Sequence, residues 1–285
     1  MRLSRQLRPV FATLLIFLFL LACSRAEFVY ERADWFGARW AANYLDLDRQ
    51  QRRQIRDELA TYREFHREVR VPQIQALLES AISDLESGHH ERETIAGHLA
   101  TTETLLGDMT RDLLPLVSDV LADLDRGQQA QLEQRFEKRR KESREELARR
   151  AHDDWEEQRR ERFLERAESL LGSLTAGQKA RITRCADAMP DTAAAQLEWE
   201  IDRQNRLLAM IADGYSADRI HDYLEGWWLH YRDQPEPLSQ ARQERQQVTL
   251  ACLADLLPTL NQGQRDKLAE RLTGYARNLE QLRNN

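Results

Sequence analysis

Leu174-Thr175-Ala176-Gly177-Gln178 is the stretch that orders this chain, because three looser copies of it recur. They read Leu47-Asp48-Arg49-Gln50-Gln51, Leu124-Asp125-Arg126-Gly127-Gln128 and Leu260-Asn261-Gln262-Gly263-Gln264. Each copy has a leucine, then Thr, Asp or Asn, then glutamine three residues later. That is the chemistry of a helix start. The short polar side chain accepts from a free N–H of the first turn, and the glutamine reaches back to the cap's own backbone N–H. Each copy also has an apolar residue eight positions after its leucine: Ile55, Leu132, Ile182 and Leu268. One box marks an ordinary helix; four in a shared register mark a repeat.

Outward from the boxes, apolar residues recur at three- and four-residue spacing and predict helices throughout. Trp35, Trp40 and Tyr44 lie along one side of an opening helix, followed by a stripe of Ile55, Leu59, Tyr62, Phe65 and Val69. Pro72 is expected to break or kink this second helix, since proline pushes Val71 toward extended geometry. A second break is expected near Pro115. From Gln128 to Leu171 there is neither glycine nor proline, and the apolar positions are sparse among Arg, Lys and Glu. As one helix this run would be about 65 Å long; the alternative is two helices with a turn near Asp153-Asp154.

The second half repeats the order of the first. Box, stripe, glycine and a proline-preceded box recur, with Gly214 answering Gly88 and Pro258 answering Pro115. The expected fold is all-α: elongated antiparallel helices in two tandem repeats, 28–157 and 158–285, joined by the long charged helix.

The first residues point to the compartment. Arg2, Arg5 and Arg8 precede an apolar run from Val10 to Ala22, too short and wrongly flanked for a spanning helix. The end of that run, Leu20-Leu21-Ala22-Cys23, resembles a bacterial lipoprotein signal. The resemblance implies a signal peptide over 1–22, lipidation (palmitate included) of Cys23, and a tether over 23–27. Ser24, which is not aspartate, favours the outer membrane over the inner. Membrane contact is therefore expected through the anchor at Cys23, with the body facing the periplasm. An ordinary signal peptide containing a cysteine is the other reading.

Cleavage there removes three arginines and no acid, taking the formal net charge from −6 to −9. An acidic mature chain argues against nucleic acid as a partner. Cys185 and Cys252 are then the remaining cysteines. In an oxidising compartment they form a candidate disulfide; the alternative is two separate buried thiols.

Leu174 to Gln178 matches the LTxxQ signature of Spy- and CpxP-like periplasmic proteins, which are all-helical cradles with two copies per chain. Four copies make this chain look like a fused pseudo-dimer of Spy-like repeats. That resemblance implies a chaperone-like or envelope-stress role, although only the third copy carries the full pattern. The chain is also similar to a family of Gram-negative helical lipoproteins with no established activity. The residues that carry this second likeness are Tyr30-Glu31-Arg32-Ala33-Asp34-Trp35, Phe65-His66-Arg67-Glu68 and Leu171-Gly172-Ser173-Leu174.

No nucleophile elbow, phosphate loop, dinucleotide turn or His-Glu-x-x-His helix is present. No catalytic, cofactor-binding or metal-ligating residue is therefore assigned, and no enzyme activity is expected. His89, His90 and His98 read as a solvated loop before a metal site, and His66 as a packing histidine. Of the adjacent Trp227 and Trp228, either both pack in the core or one is exposed for contact with a client. Two functions remain: binding of envelope or non-native proteins without catalysis, and a structural spacer or accessory subunit of an envelope assembly.

Overall fold

A computed structural model describes residues 30–150 and 154–284. The expected signal peptide and tether, with Cys23, lie outside them. The described residues form helices without a strand. In chain order these are α1 (Ala33–Leu45), α2 (Arg49–Phe65), a π-helical turn (His66–Arg70), α3 (Val71–Ser87), α4 (Arg92–Ala122) and α5 (Arg126–Arg150). Then come α6 (Trp155–Leu171), α7 (Ala176–Ala188), α8 (Ala193–Ala212), α9 (Ala217–Trp228), α10 (Glu236–Leu256), a 3-10 turn (Leu257–Thr259) and α11 (Gln262–Asn284).

The boxes stand at the starts of α2, α5, α7 and α11. Asp48, Asp125, Thr175 and Asn261 accept from the backbone N–H of Gln51, Gln128, Gln178 and Gln264 at 2.9–3.2 Å. Each glutamine Oε1 accepts from the cap's own N–H at 3.0–3.1 Å. Leu124 and Leu260 are buried, as are Ile55, Leu132 and Ile182 downstream. Other punctuation is equally local. Gly88, Gly172 and Gly214 take positive φ after α3, α6 and α8, a conformation that glycine adopts without a Cβ penalty.

The break expected near Pro115 is not found, and at Pro72 the α-helix is interrupted only by a π turn. Pro72 does not break the chain's helical path: Val71 keeps helical angles, φ −57° and ψ −48°. One widened turn absorbs the problem. Proline lacks the N–H for an i→i−4 bond and crowds the carbonyl four residues back, and a π turn inserts one extra residue. The N–H of Val71 accordingly donates to His66 O, five residues back. Pro115 sits inside the unbroken 31-residue α4. Packing decides there, since Leu114 is fully buried and Ser118 Oγ donates to Leu114 O at 2.7 Å, beside α9 and α10.

The glycine-free charged run is two helices, α5 and α6, not one. Asp154 precedes α6 with ψ 60°, outside helical values. Glu156 and Glu157 follow in the first turn, where the helix dipole favours negative charge.

Three hydrophobic clusters hold the helices together. The first joins Leu45, Leu114, Leu121 and Leu132 to Leu207, Ile211, Ile220 and Leu224. The second packs Ile74, Leu78, Leu105 and Met109 against Leu272 and Leu279 of α11. The third brings Leu85 to Leu171 and Leu260. Each cluster draws on helices from early and late in the chain, so the two parts interlock. The contacts also come in counterparts. Helix α1 packs on α2 and α5, as α6 packs on α7 and α11; α3 lies on α11, as α8 lies on α5; and α2 meets α4, as α7 meets α10.

Candidate functional site

The widened turn at Pro72 shapes the most unusual part of the surface. It carries His66 into the interior beside Tyr30, whose hydroxyl donates to Arg63 O at 3.2 Å and lies 3.0 Å from His66 Nδ1. With the Tyr30 hydrogen on Arg63 O, Nδ1–H of the imidazole is the donor to the phenol oxygen. His66 Nε2 is then a buried acceptor with no hydrogen-bond partner. Burial pushes His66 down from its ordinary 6.5 to about 4, and pushes Tyr30 up to about 12. Burial also raises Tyr62, whose ring stands 5.9 Å from the His66 ring. At neutral pH the joint is therefore an uncharged aromatic core.

Charge surrounds it. Arg70, at the end of the π turn, grips Asp112 with two hydrogen bonds of 2.7 Å and reaches Asp108 at 3.2 Å. The hydrogen bonds it donates to Asp112 hold the Arg70 guanidinium above its usual pKa. Asp108 also pairs with Arg111, which continues to Glu225 on α9. Phe65 is exposed beside these charges, with the Arg70 guanidinium 5.5 Å from its ring centre, and Val69, four residues on, is exposed as well. A two-pronged arginine fixed between carboxylates is geometrically rigid.

The box glutamines do more than close their own caps. Gln178 and Gln264 face each other: Gln178 Nε2 donates to Gln264 Oε1 at 2.8 Å, and Gln264 Nε2 donates to Gln178 Oε1 at 2.9 Å. Their second N–H groups reach Thr259 O (3.0 Å) and Ser173 O (2.9 Å). Both amides are buried and use two donors and two acceptor sites, the full capacity of a primary amide. Gln51 and Gln128 form the same reciprocal pair, at 2.7 and 3.2 Å, and Gln128 also donates to Asp46 O. The boxes thus clasp in pairs, the first with the second and the third with the fourth. Single-sequence reasoning finds each box, but nothing local tells one glutamine which other it will meet.

A family model described as a family of unknown function (DUF6279) matches residues 43–226. The chain belongs to this family. No curated protein and no solved structure matches it.

The DUF6279 segment runs from the end of α1 into α9, and so contains the π joint, the Arg70 cluster and the first three boxes. Of the two cysteines it includes Cys185 alone. Cys185 of α7 is joined to Cys252 of α10 by a disulfide, with Cα atoms 5.9 Å apart. His98 lies in α4 and not in a loop: Asp84 of α3 meets its Nε2 at 2.8 Å and the Nδ1 of the loop residue His89 at 3.5 Å. Among the described residues no group of three or more His, Cys, Asp or Glu is arranged to hold a metal ion. Trp227 and Trp228 both pack against the first core cluster.

Sequence reasoning missed two things in the DUF6279 chain. One is the π turn, for which a proline within an otherwise unbroken stripe is the available signal. The other is the direction of α1. This helix buries Asp34, Ala38, Ala42 and Leu45, and turns Trp35, Phe36 and Trp40 outward.

Proposed function

We propose that this chain is an outer-membrane-anchored lipoprotein facing the periplasm, whose helical body binds proteins without catalysing a reaction. The role is chaperone-like or part of an envelope-stress response. The observation that carries the reading is the exposed pair Phe65 and Val69, with Phe65 against Arg70 and its ion pairs to Asp108 and Asp112. An apolar patch with a charged frame offers a partner both area and register. The Gln51–Gln128 clasp ties α2, which carries Phe65, to α5. The counterpart helix contacts support reading the body as two fused Spy-like repeats, and the Leu20-to-Cys23 sequence supports the anchor.

Aggregation of an unfolding client tests the reading. The mature protein, at a stoichiometric amount, should suppress light scattering. A Phe65→Ser/Val69→Ser variant, folded by circular dichroism, should lose at least about half of that suppression. No suppression at several-fold excess would count against protein holding.

A second reading is favoured by α5, in which only Gln128 and Leu132 are buried over 25 residues. Such a charged helix suits a spacer or accessory subunit of an envelope assembly. Pull-down of a single stoichiometric partner, together with inactivity toward unfolding clients, would select it.

A further inference from the structure

Helix α1 is built inside out. Its buried side consists of Asp34, Ala38, Ala42 and Leu45, while its outer side carries Trp35, Phe36 and Trp40, which are 42–51% exposed. Water opposes this arrangement, because the apolar area of three aromatic side chains is left hydrated. The fold does not require it. Helix α6 has the corresponding contacts, on α7 and α11, and is also followed by a residue with positive φ. Counted back from the caps Asp46 and Gly172, Leu45 corresponds to the buried Leu171. Trp35, Phe36 and Trp40 then stand where α6 carries Glu161, Arg162 and Arg166. The same structural position is charged in one helix and aromatic in the other.

What distinguishes α1 is where the chain leads before it. Trp35 lies twelve residues after Cys23. Even fully extended, the chain between Cys23 and Tyr30 spans no more than about 25 Å. A lipid on Cys23 would keep α1 within that reach of the bilayer. The outward face suits such a surface. Tryptophan and tyrosine prefer the headgroup level, where a ring is partly apolar and partly polar, and Trp40 stacks on Tyr44 at 5.1 Å. Arg39 lies between the two tryptophans, its guanidinium 5.5 Å from the Trp35 ring centre, placed to meet lipid phosphate. Residues 30–71 hold nine arginines against eight acids in a chain of net charge −6, so this end, unlike the chain as a whole, is not acidic and does not repel an anionic surface. Among the described residues no helix is long and apolar enough to cross a membrane, and α1 is only about 20 Å long.

We infer that the Trp35, Phe36 and Trp40 face of α1 lies on the phospholipid surface, as a second, non-covalent membrane contact beside the anchor. A single acyl chain binds marginally, and a second signal makes attachment durable. With several acyl chains on Cys23, the α1 contact would chiefly set orientation, holding the body against the bilayer instead of leaving it to swing on the tether.

The inference rests on the lipoprotein reading, and its test separates the two. The mature chain with Cys23→Ser, which cannot be acylated, is mixed with vesicles of phosphatidylethanolamine and phosphatidylglycerol, some with brominated acyl chains. It should float with the vesicles, and the bromines should quench its tryptophan fluorescence. Trp35→Ser/Trp40→Ser should lower the vesicle affinity at least about tenfold with its thermal melting curve unchanged, because both rings are already exposed. Absence of flotation, or equal flotation of both proteins, would overturn the inference. So would a change from dimer to monomer on substitution without vesicle binding, which would assign the face to a second copy of the chain. The mass of the protein isolated from cells tests the anchor by itself. An unacylated Cys23 with vesicle binding retained refutes the anchor alone, and an acylated Cys23 without vesicle binding refutes the α1 contact alone.

Discussion

Gln178→Glu tests the clasp between the third and fourth boxes with a change of one group, NH2 to oxygen. The amide donates to Gln264 Oε1 at 2.8 Å and to Thr259 O at 3.0 Å. In the glutamate both acceptors lose their donor and face another oxygen instead. A buried polar group left without a partner costs about 1–3 kcal/mol, so two such losses give an expected destabilisation of about 3–5 kcal/mol near pH 7.5. The introduced carboxyl, enclosed by oxygens and buried, has a folded pKa above its unfolded value of about 4.3. Its penalty is therefore greatest at neutral pH and shrinks as pH falls, because the protonated acid recovers one donor. Gln51→Glu serves as the control: Gln51 is only partly buried, water reaches the site, and about 1 kcal/mol is expected. Urea unfolding followed by circular dichroism, against the wild type at each pH, measures these values. A Gln178→Glu cost below about 0.5 kcal/mol, or one that grows toward acid, would refute the reasoning.

The remaining predictions concern the joint, the crosslink, the ion cluster and the anchor. His66 has a folded pKa pushed down to about 4 from 6.5 by burial, so the unfolded chain binds the proton first and stability falls as pH drops through this window. Between pH 7 and pH 5 the loss should be about 2 kcal/mol, and His66→Phe should remove that part of the pH dependence in urea titrations. Reduction of the Cys185–Cys252 disulfide, or Cys185→Ser, should destabilise the protein by about 4 kcal/mol on the chain-entropy view, read as a lower urea midpoint. Arg70→Ala leaves Asp112 without its two-bond partner and should cost about 1–3 kcal/mol, largely suppressed when Asp112→Ala is added. Cys23→Ala should move the protein from the membrane fraction toward the soluble one; full retention would contradict the lipid anchor.

Features set by neighbours in sequence were the legible ones. A cap and a glutamine three residues on make their bonds within one turn, so all four helix starts could be read directly. Gly88 and Gly214 likewise announce helix ends, and the family was reached from short runs along the chain. Features set by partners far away were not. The Gln178–Gln264 clasp spans 86 residues, and no local rule chooses among four glutamines. Pro72 was expected to break or kink a helix, and Pro115 to break one, because local geometry disfavours continuation. A π turn answers the first, and burial of Leu114 and Ser118 outweighs the second. The tryptophans of α1 could be assigned to one side, but not to the outer side, because periodicity marks a face without saying what covers it. The charged frame beside Phe65 depends on Arg70 of the π turn meeting Asp108 and Asp112 of α4, about forty residues on.

The central claim is that this charged, helical surface holds other proteins at the membrane. A photo-activatable side chain at Val69, in the lipidated protein within intact cells, tests it most directly, with Glu142 on the outer part of α5 as the comparison position. Adducts with envelope or unfolded proteins at position 69, strengthened by protein-unfolding stress and absent at 142, are the predicted result. An equal absence of protein adducts at both positions, with the protein correctly anchored and folded, would contradict it.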